Sequence, residues 1–149
     1  MKPYISHKRV TFDFDILDTF EAGISLLGTE VKSVRNGQGK LEGAHVVIRG
    51  GEAFLVGASI PPFQKANAPK TYDPERTRTL LLSQKELARL GTEGEKAGLT
   101  IVPIKLYNKN NKLKLEIAIA RGKKKYDKRE SIKARDTKRD IDREIKRAV

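Results

Sequence analysis

The sequence predicts a mainly β protein: an OB-fold-like closed antiparallel barrel of about six strands, short helices inserted singly, and a basic C-terminal tail. Three observations carry this reading. Short runs of alternating apolar and polar residues recur from Val10 to Ala120, the period of half-buried strands. Gly, Asn and Pro clusters separate those runs as turns do. Residues 122–149 hold 12 basic and 6 acidic side chains and few apolar ones, too little to join a core. Closing so small a sheet removes its unpaired edges, although the pattern alone also fits an SH3-like barrel or a split β-meander. The expected division is a barrel over 1–121 and a tail over 122–149.

The elements follow in order. In "VTFDFDIL", Val10, Phe12, Phe14 and Ile16 share one face opposite Thr11, Asp13 and Asp15, as in a strand. "TFEAGISLLG" reads as a second strand, with a bulge or sharp coil at Gly23. "TEVKSVRNG" reads as a two-turn helix with Thr29 as N-cap and Asn36-Gly37 closing it. Val31 and Val34 then point inward and Lys32, Ser33 and Arg35 outward. "AHVVIRGGEAFLVGASI" is a hairpin about Gly50-Gly51. Residues 61–78 form a long Pro-rich loop, a length that in small domains goes with function or mobility. "SQKELARL" opens with a Ser83/Glu86 capping box, and Gly91 and Gly94 loosen or end that helix. "LTIVPIKLY" and "KLKLEIAIA" pair across "NKNN".

Composition narrows the function. The 31 Lys+Arg against 19 Asp+Glu give a net charge of +12. Half of that excess, +6, lies in the 28 residues from Gly122, and the other 121 residues carry the remaining +6. Such a surface attracts polyanions, and each phosphate it neutralises releases counterions. With no cysteine there is no thiolate nucleophile, disulfide or cysteine zinc site,. No apolar run is long enough to cross a bilayer and "MKPYISHKRV" lacks a signal-type apolar core,, so a cytoplasmic address and no membrane partner are expected. His7 and His45 lack metal-ligand spacing; His7 reads as a solvated terminal residue and His45 as an ordinary strand histidine. "RNGQGK" lacks the spacing and the Ser/Thr of a phosphate-binding loop. Glu21 and Glu30 are separated, with nothing to join them as a catalytic pair. No enzyme and no cofactor are expected.

The tail is weakly helical. Asp142–Lys146 and Glu144–Arg147 sit at helical ion-pair spacings, opposed by like pairs such as Arg135–Arg139 and Asp136–Asp140,. Without an apolar face it is expected to be disordered when free and helical on a phosphate surface. Tyr126 within "KKKYDKR" is an aromatic placed for stacking on a base.

Several stretches together, "EAGISLLGTEVKSVRNG", "GEAFLVGASIPPF", "DPERTRTLLLSQKEL", "GLTIVPIKLY" and "IAIARGKKKYDKRESIK", closely resemble the small protein B family of bacterial trans-translation, from Arg9 to Arg135. The pair "GTEVKS" and "ARGKKKYDKR" is highly specific. The resemblance implies an OB-like barrel that binds the tRNA-like domain of transfer-messenger RNA (SsrA RNA) near its elbow. It implies delivery to stalled ribosomes, with the tail entering the vacant mRNA channel beyond the decoding centre and incomplete chains tagged for degradation. The elongation factor and alanyl-tRNA synthetase are implied as indirect partners through the RNA.

The resemblance also implies roles for residues. The expected RNA contacts are Lys8, Arg9, Glu30, Lys32, Ser33, Arg35, Arg76, Arg78, Lys105 and Tyr107. Glu30 is either an acceptor for base or 2′-OH donors or a brace for a neighbouring cation; as a first-turn helix acid it would also suit the dipole. In "ERTRTLLL" Thr79 replaces the family's usual lysine. The expected ribosome contacts are Lys123, Lys124, Lys125, Tyr126, Asp127, Lys128, Arg129, Lys133 and Arg135. The N-terminal "HKRVTFDF" departs from the family's pattern, leaving His7 and Phe12 without an assigned contact. The rival readings are a constitutive ribosomal or single-strand RNA-binding OB protein, which needs exposed stacking aromatics, a polybasic membrane-surface protein, and a nuclease.

Overall fold

The computed structural model describes residues 3–63 and 71–123. Seven strands form one antiparallel sheet: β1 (Ile5–Ser6), β2 (Phe14–Ile24), β3 (His45–Arg49), β4 (Glu52–Val56), β5 (Arg78–Leu81), β6 (Leu99–Lys109) and β7 (Lys112–Gly122). Among the described residues three helices accompany them: α1 (Val10–Asp13), α2 (Gly28–Arg35) and α3 (Gln84–Gly94). The strand order is β1-β6-β7-β2-β5-β4-β3.

The mainly β architecture with few short helices is as expected, but the sheet does not close into a barrel. β1 and β3 are its edges, with no ladder between them. β1 pairs with β6 only at Leu106 and Lys105. β3 and β6 instead lie side by side with α3 packed on both. Two helical glycines let α3 approach: a Cβ at Gly91 would sit 3.6 Å from Ile48 Cγ2, and one at Gly94 3.3 Å from Ile101 Cδ1. Covering an edge with a helix protects it from mispairing as closure would.

The expected strand from Val10 and its successor from Thr19 are one turn of helix followed by one continuous strand. Both long ladders are irregular. In β2 the register with β7 shifts between Ile16 and Asp18, so Leu17 is a bulge. An extra residue turns the strand by half a pleat. Phe14 and Ile16 therefore join one apolar cluster, with Val10, Val102, Ala118 and Ala120, while Phe20, Ala22 and Ile24 join the main core. α1 exists because Val10 covers that outer cluster. The bulge is at Leu17 and not at Gly23; Gly23 is instead a close approach to β5, where a Cβ would meet Leu81 Cβ at 3.2 Å.

The turns follow the sequence reading more closely. Gly50 and Gly51 both have positive φ between Arg49 and Glu52, the two-residue turn expected,. Asn110 and Asn111, also at positive φ, join β6 to β7 through the pair Lys109–Lys112, so both strands run longer than the pattern predicts. β5, assigned to no strand from sequence, fills the place between β2 and β4. α3 has the Ser83/Glu86 capping box and runs on past Gly91 to Gly94. α2 closes at Asn36 with Gly37 at φ 75°, whose N–H donates to Val34 O,.

Candidate nucleic-acid interface

α2 sets the first part of the site. Its N-cap is Leu27, and Thr29 lies inside the first turn. The buried positions are Glu30, Ser33 and Val34, so the helix is rotated from its expected orientation: Ser33 faces in and Val31 is only half-buried. Glu30 is driven into the interior beside Val34, both at 0% exposure, while Val31 is left at the margin.

A buried carboxylate needs compensation, and Glu30 has it on both oxygens. Oε1 accepts from the Leu27 backbone N–H at 2.8 Å and from Arg76 Nη2; Oε2 accepts from Arg76 Nε at 3.0 Å and from Arg78 Nη2 at 2.6 Å and Nε at 3.1 Å. Tyr72 Oη lies 3.0 Å from Oε2 and 2.7 Å from Ile60 O, and its single proton serves one of them at a time,. Arg78, at 0% exposure, completes its fork with Ala58 O at 2.6 Å and Pro74 O at 2.9 Å. Ser33 Oγ donates to Pro61 O at 2.6 Å. Carboxylate and guanidinia therefore join α2, the end of the β4 segment and β5.

Charge bookkeeping gives the site its sign. One carboxylate against two arginines leaves one positive charge. It is carried by Arg76, which keeps 31% side-chain exposure while Arg78 and Glu30 are covered. Burial is the largest single influence on the Glu30 carboxyl and opposes its charge. Hydrogen bonds from Arg76, the Leu27 N–H and Arg78, with the charge of Arg78, outweigh it and hold the group at about 2. Because this value lies below the ordinary 4.5, the stabilisation is fully present above pH 4.5 and is lost as pH falls toward 2,. The interval corresponds to about 3 kcal/mol. The resistance of the wild-type chain to urea should therefore fall steeply as pH drops between those values, with Glu30→Gln removing that part of the slope.

Around this hub the exposed cations of α2 collect. Lys32 lies over the Phe63 ring at 5.9 Å. Arg35 lines a groove with Lys112 and Lys114 around Leu26, Val31 and Leu81, the last 64% exposed. Lys112 and Lys114 escaped the sequence reading because their alternation with leucines looked like the solvent side of a strand; only the fold brings that strand end beside α2.

The other expected contacts separate from this cluster. Lys105 and Tyr107 share one face of β6, the Lys105 ammonium 5.6 Å from the Tyr107 ring. Tyr107 is buried, and its hydroxyl donates to Glu21, which Lys109 also approaches at 3.3 Å. Burial, then the Glu21 hydrogen bond and charge, push the Tyr107 hydroxyl well above its usual range; the Tyr107 hydrogen bond chiefly pulls Glu21 down. Lys8 and Arg9 are exposed near α1, Arg9 over the Phe12 ring at 4.6 Å. His7 is buried, contrary to its reading as a solvated residue, because its N–H joins the β1 edge to Ile104 O at 2.7 Å. Lys123 lies against α1. Lys124, Lys125, Tyr126, Asp127, Lys128, Arg129, Lys133 and Arg135 lie outside the described residues. Glu21 and Glu30 have separate partners and form no pair. Among the described residues, no three His, Asp or Glu side chains are grouped to hold a metal, and no helix is long and apolar enough to cross a membrane.

Fold and site thus define a class: a small, basic, open β-sheet protein in which a buried carboxylate braces arginines beside a groove lined by cations, an arrangement suited to a structured polyanion,. The family model described as SmpB protein matches residues 4–147, and the chain belongs to that family. It is 46% identical over 146 residues to an SsrA-binding protein of Gloeobacter violaceus, covering 98% of this chain and 95% of that one. It is 48% identical over 141 residues to the SsrA-binding protein of Syntrophobacter fumaroxidans, covering 95% and 87%. A solved chain described as "tmRNA-SmpB: a journey to the center of the bacterial ribosome" matches with a TM-score of 0.68 at 42% identity, covering 80% of this chain and 84% of that one.

Proposed function

We propose that this protein binds the tRNA-like part of transfer-messenger RNA through its sheet and α2, and carries that RNA to stalled ribosomes for trans-translation. The observation that carries the reading is family membership over residues 4–147 together with relatives that are SsrA-binding proteins. The geometry supplies a mechanism by position and charge. Arg76, braced by Glu30, the exposed Lys32, Arg35 and Lys112, and the half-buried Lys114 meet phosphates,. Glu30 itself acts as the brace and not as an acceptor for RNA, because every lone pair it has is directed at protein donors. Ser33 and Arg78 likewise act from within by holding the segments that present the cations. Lys8, Arg9 and Lys105 extend the basic surface.

The tail from Lys124 onward reads the ribosome, at the decoding centre and in the mRNA channel. A cytoplasmic location follows from such partners, and the action is binding without bond chemistry. A single-strand RNA-binding OB protein is not favoured: Tyr107 is covered, and Phe63 is the one aromatic among the large exposed apolar residues described,.

The test is titration of transfer-messenger RNA at several salt concentrations. Replacing Arg35, Lys112 and Lys114 together by alanine should weaken binding by about 10²-fold or more at physiological salt and flatten the salt dependence by roughly two to three ions. Unchanged affinity and slope would remove the groove from the interface.

A further inference from the structure

We propose that Lys123 is a positioning residue: its ammonium clasps the chain to α1 and fixes where the tail leaves the sheet. This rests on the reading of the tail as the ribosome-contacting segment. By sequence Lys123 is the first of three lysines expected to grip phosphates. Its surroundings assign it another task.

The last ladder pair of β2 and β7 is Phe14–Gly122. One residue further, the Lys123 N–H donates to Asp13 O at 2.9 Å, continuing the pairing onto the end of α1. The Lys123 side chain then folds back. Its Nζ donates to Thr11 O at 2.8 Å and lies 3.9 Å from Asp15 Oδ1, with 12% of the side chain exposed. Thr11 O belongs to a one-turn helix, whose carbonyls have few intrahelical donors. α1 is itself held by Val10 against Val102, Ala118 and Ala120. Main chain and side chain of one residue are thus fastened to a packed element, at the point where the sheet ends and the tail begins. An ammonium so covered reaches a phosphate only by releasing this clasp. Its role is to set the origin and heading of the tail, so that the cations from Lys124 onward arrive at the ribosome in register with the RNA held by the sheet.

The experiment uses the full chain with Lys123→Met, which keeps the apolar stem, and Lys123→Arg, which keeps a cationic donor. Three quantities are read: hydrogen exchange of the Lys123 amide, the salt slope of ribosome association, and tagging of stalled chains. Lys123→Met should speed exchange about tenfold or more. It should lower tagging about tenfold, because a misdirected tether reduces effective concentration at the second site. The salt slope and the affinity for transfer-messenger RNA should not change, and Lys123→Arg should restore wild-type behaviour. A slope reduced by about one with unchanged exchange would make Lys123 a phosphate contact and overturn the proposal. Faster exchange with normal tagging would also overturn it, since the clasp would then position nothing. If a chain ending at Gly122 tagged normally, the reading of the tail would fail instead, and amide exchange would still decide whether the clasp exists.

Discussion

Glu30→Ala is expected to cost about 3–5 kcal/mol of stability, the loss that follows when one partner of a buried ion pair is removed. Arg78 has no exposure and Arg76 only part of its side chain free, so the alanine leaves a guanidinium in the interior with its fork half filled. With a urea slope of about 1–3 kcal/mol/M, the midpoint should fall by on the order of 2 M. The mechanism is checked by a second variant. Glu30→Met with Arg78→Met removes both buried charges and fills similar volume, so it should recover at least half of the loss. Recovery would show that an uncompensated charge, and not a missing contact, destabilises the single variant. A loss under about 1 kcal/mol for Glu30→Ala would contradict the burial on which this account stands.

Ending the chain at Gly122 should leave capture of transfer-messenger RNA within about threefold of the full chain while abolishing tagging of stalled chains. The groove cations Arg35, Lys112 and Lys114 and the braced Arg76 all belong to the body, so phosphate contacts made there survive truncation. The removed segment takes half of the net charge with it, so long-range attraction weakens and the association rate should drop more than the dissociation rate rises. Binding and tagging measured on the same preparation check this. Loss of binding with the tail would make the tail the electrostatic anchor, and the division of labour would be wrong.

What the sequence discloses here depends on how local the cause is. The turns at Gly50-Gly51 and Asn110-Asn111 and the Ser83 cap were legible because they depend on neighbours a few residues away. Leu17 was not: the alternation on each side of it is equally good, and only pairing with β7 reveals that one residue is skipped. β5 was hidden because "RTLL" is too short to show a period and its arginine is an interior partner of Glu30. The same pair explains the misplaced α2 face. Helical spacing assigns Val31 and Val34 inward and Ser33 outward; Val34 agrees, but nothing within the helix announces that two arginines more than forty residues away will compensate a buried carboxylate and turn Ser33 in. The family resemblance singled out this segment; the packing places Glu30 between Arg76 and Arg78 as their brace.

The unbroken run of β2 has one more consequence. Its first residue adjoins Gly122, where the tail begins, and its last leads directly into α2 and the Glu30 hub. Eleven residues at about 3.3 Å each make a bar of roughly 35 Å, stiffened along its length by β7. The protein thus contains a ruler: whatever grips α2 and the point at which the tail leaves the sheet are held one strand length apart.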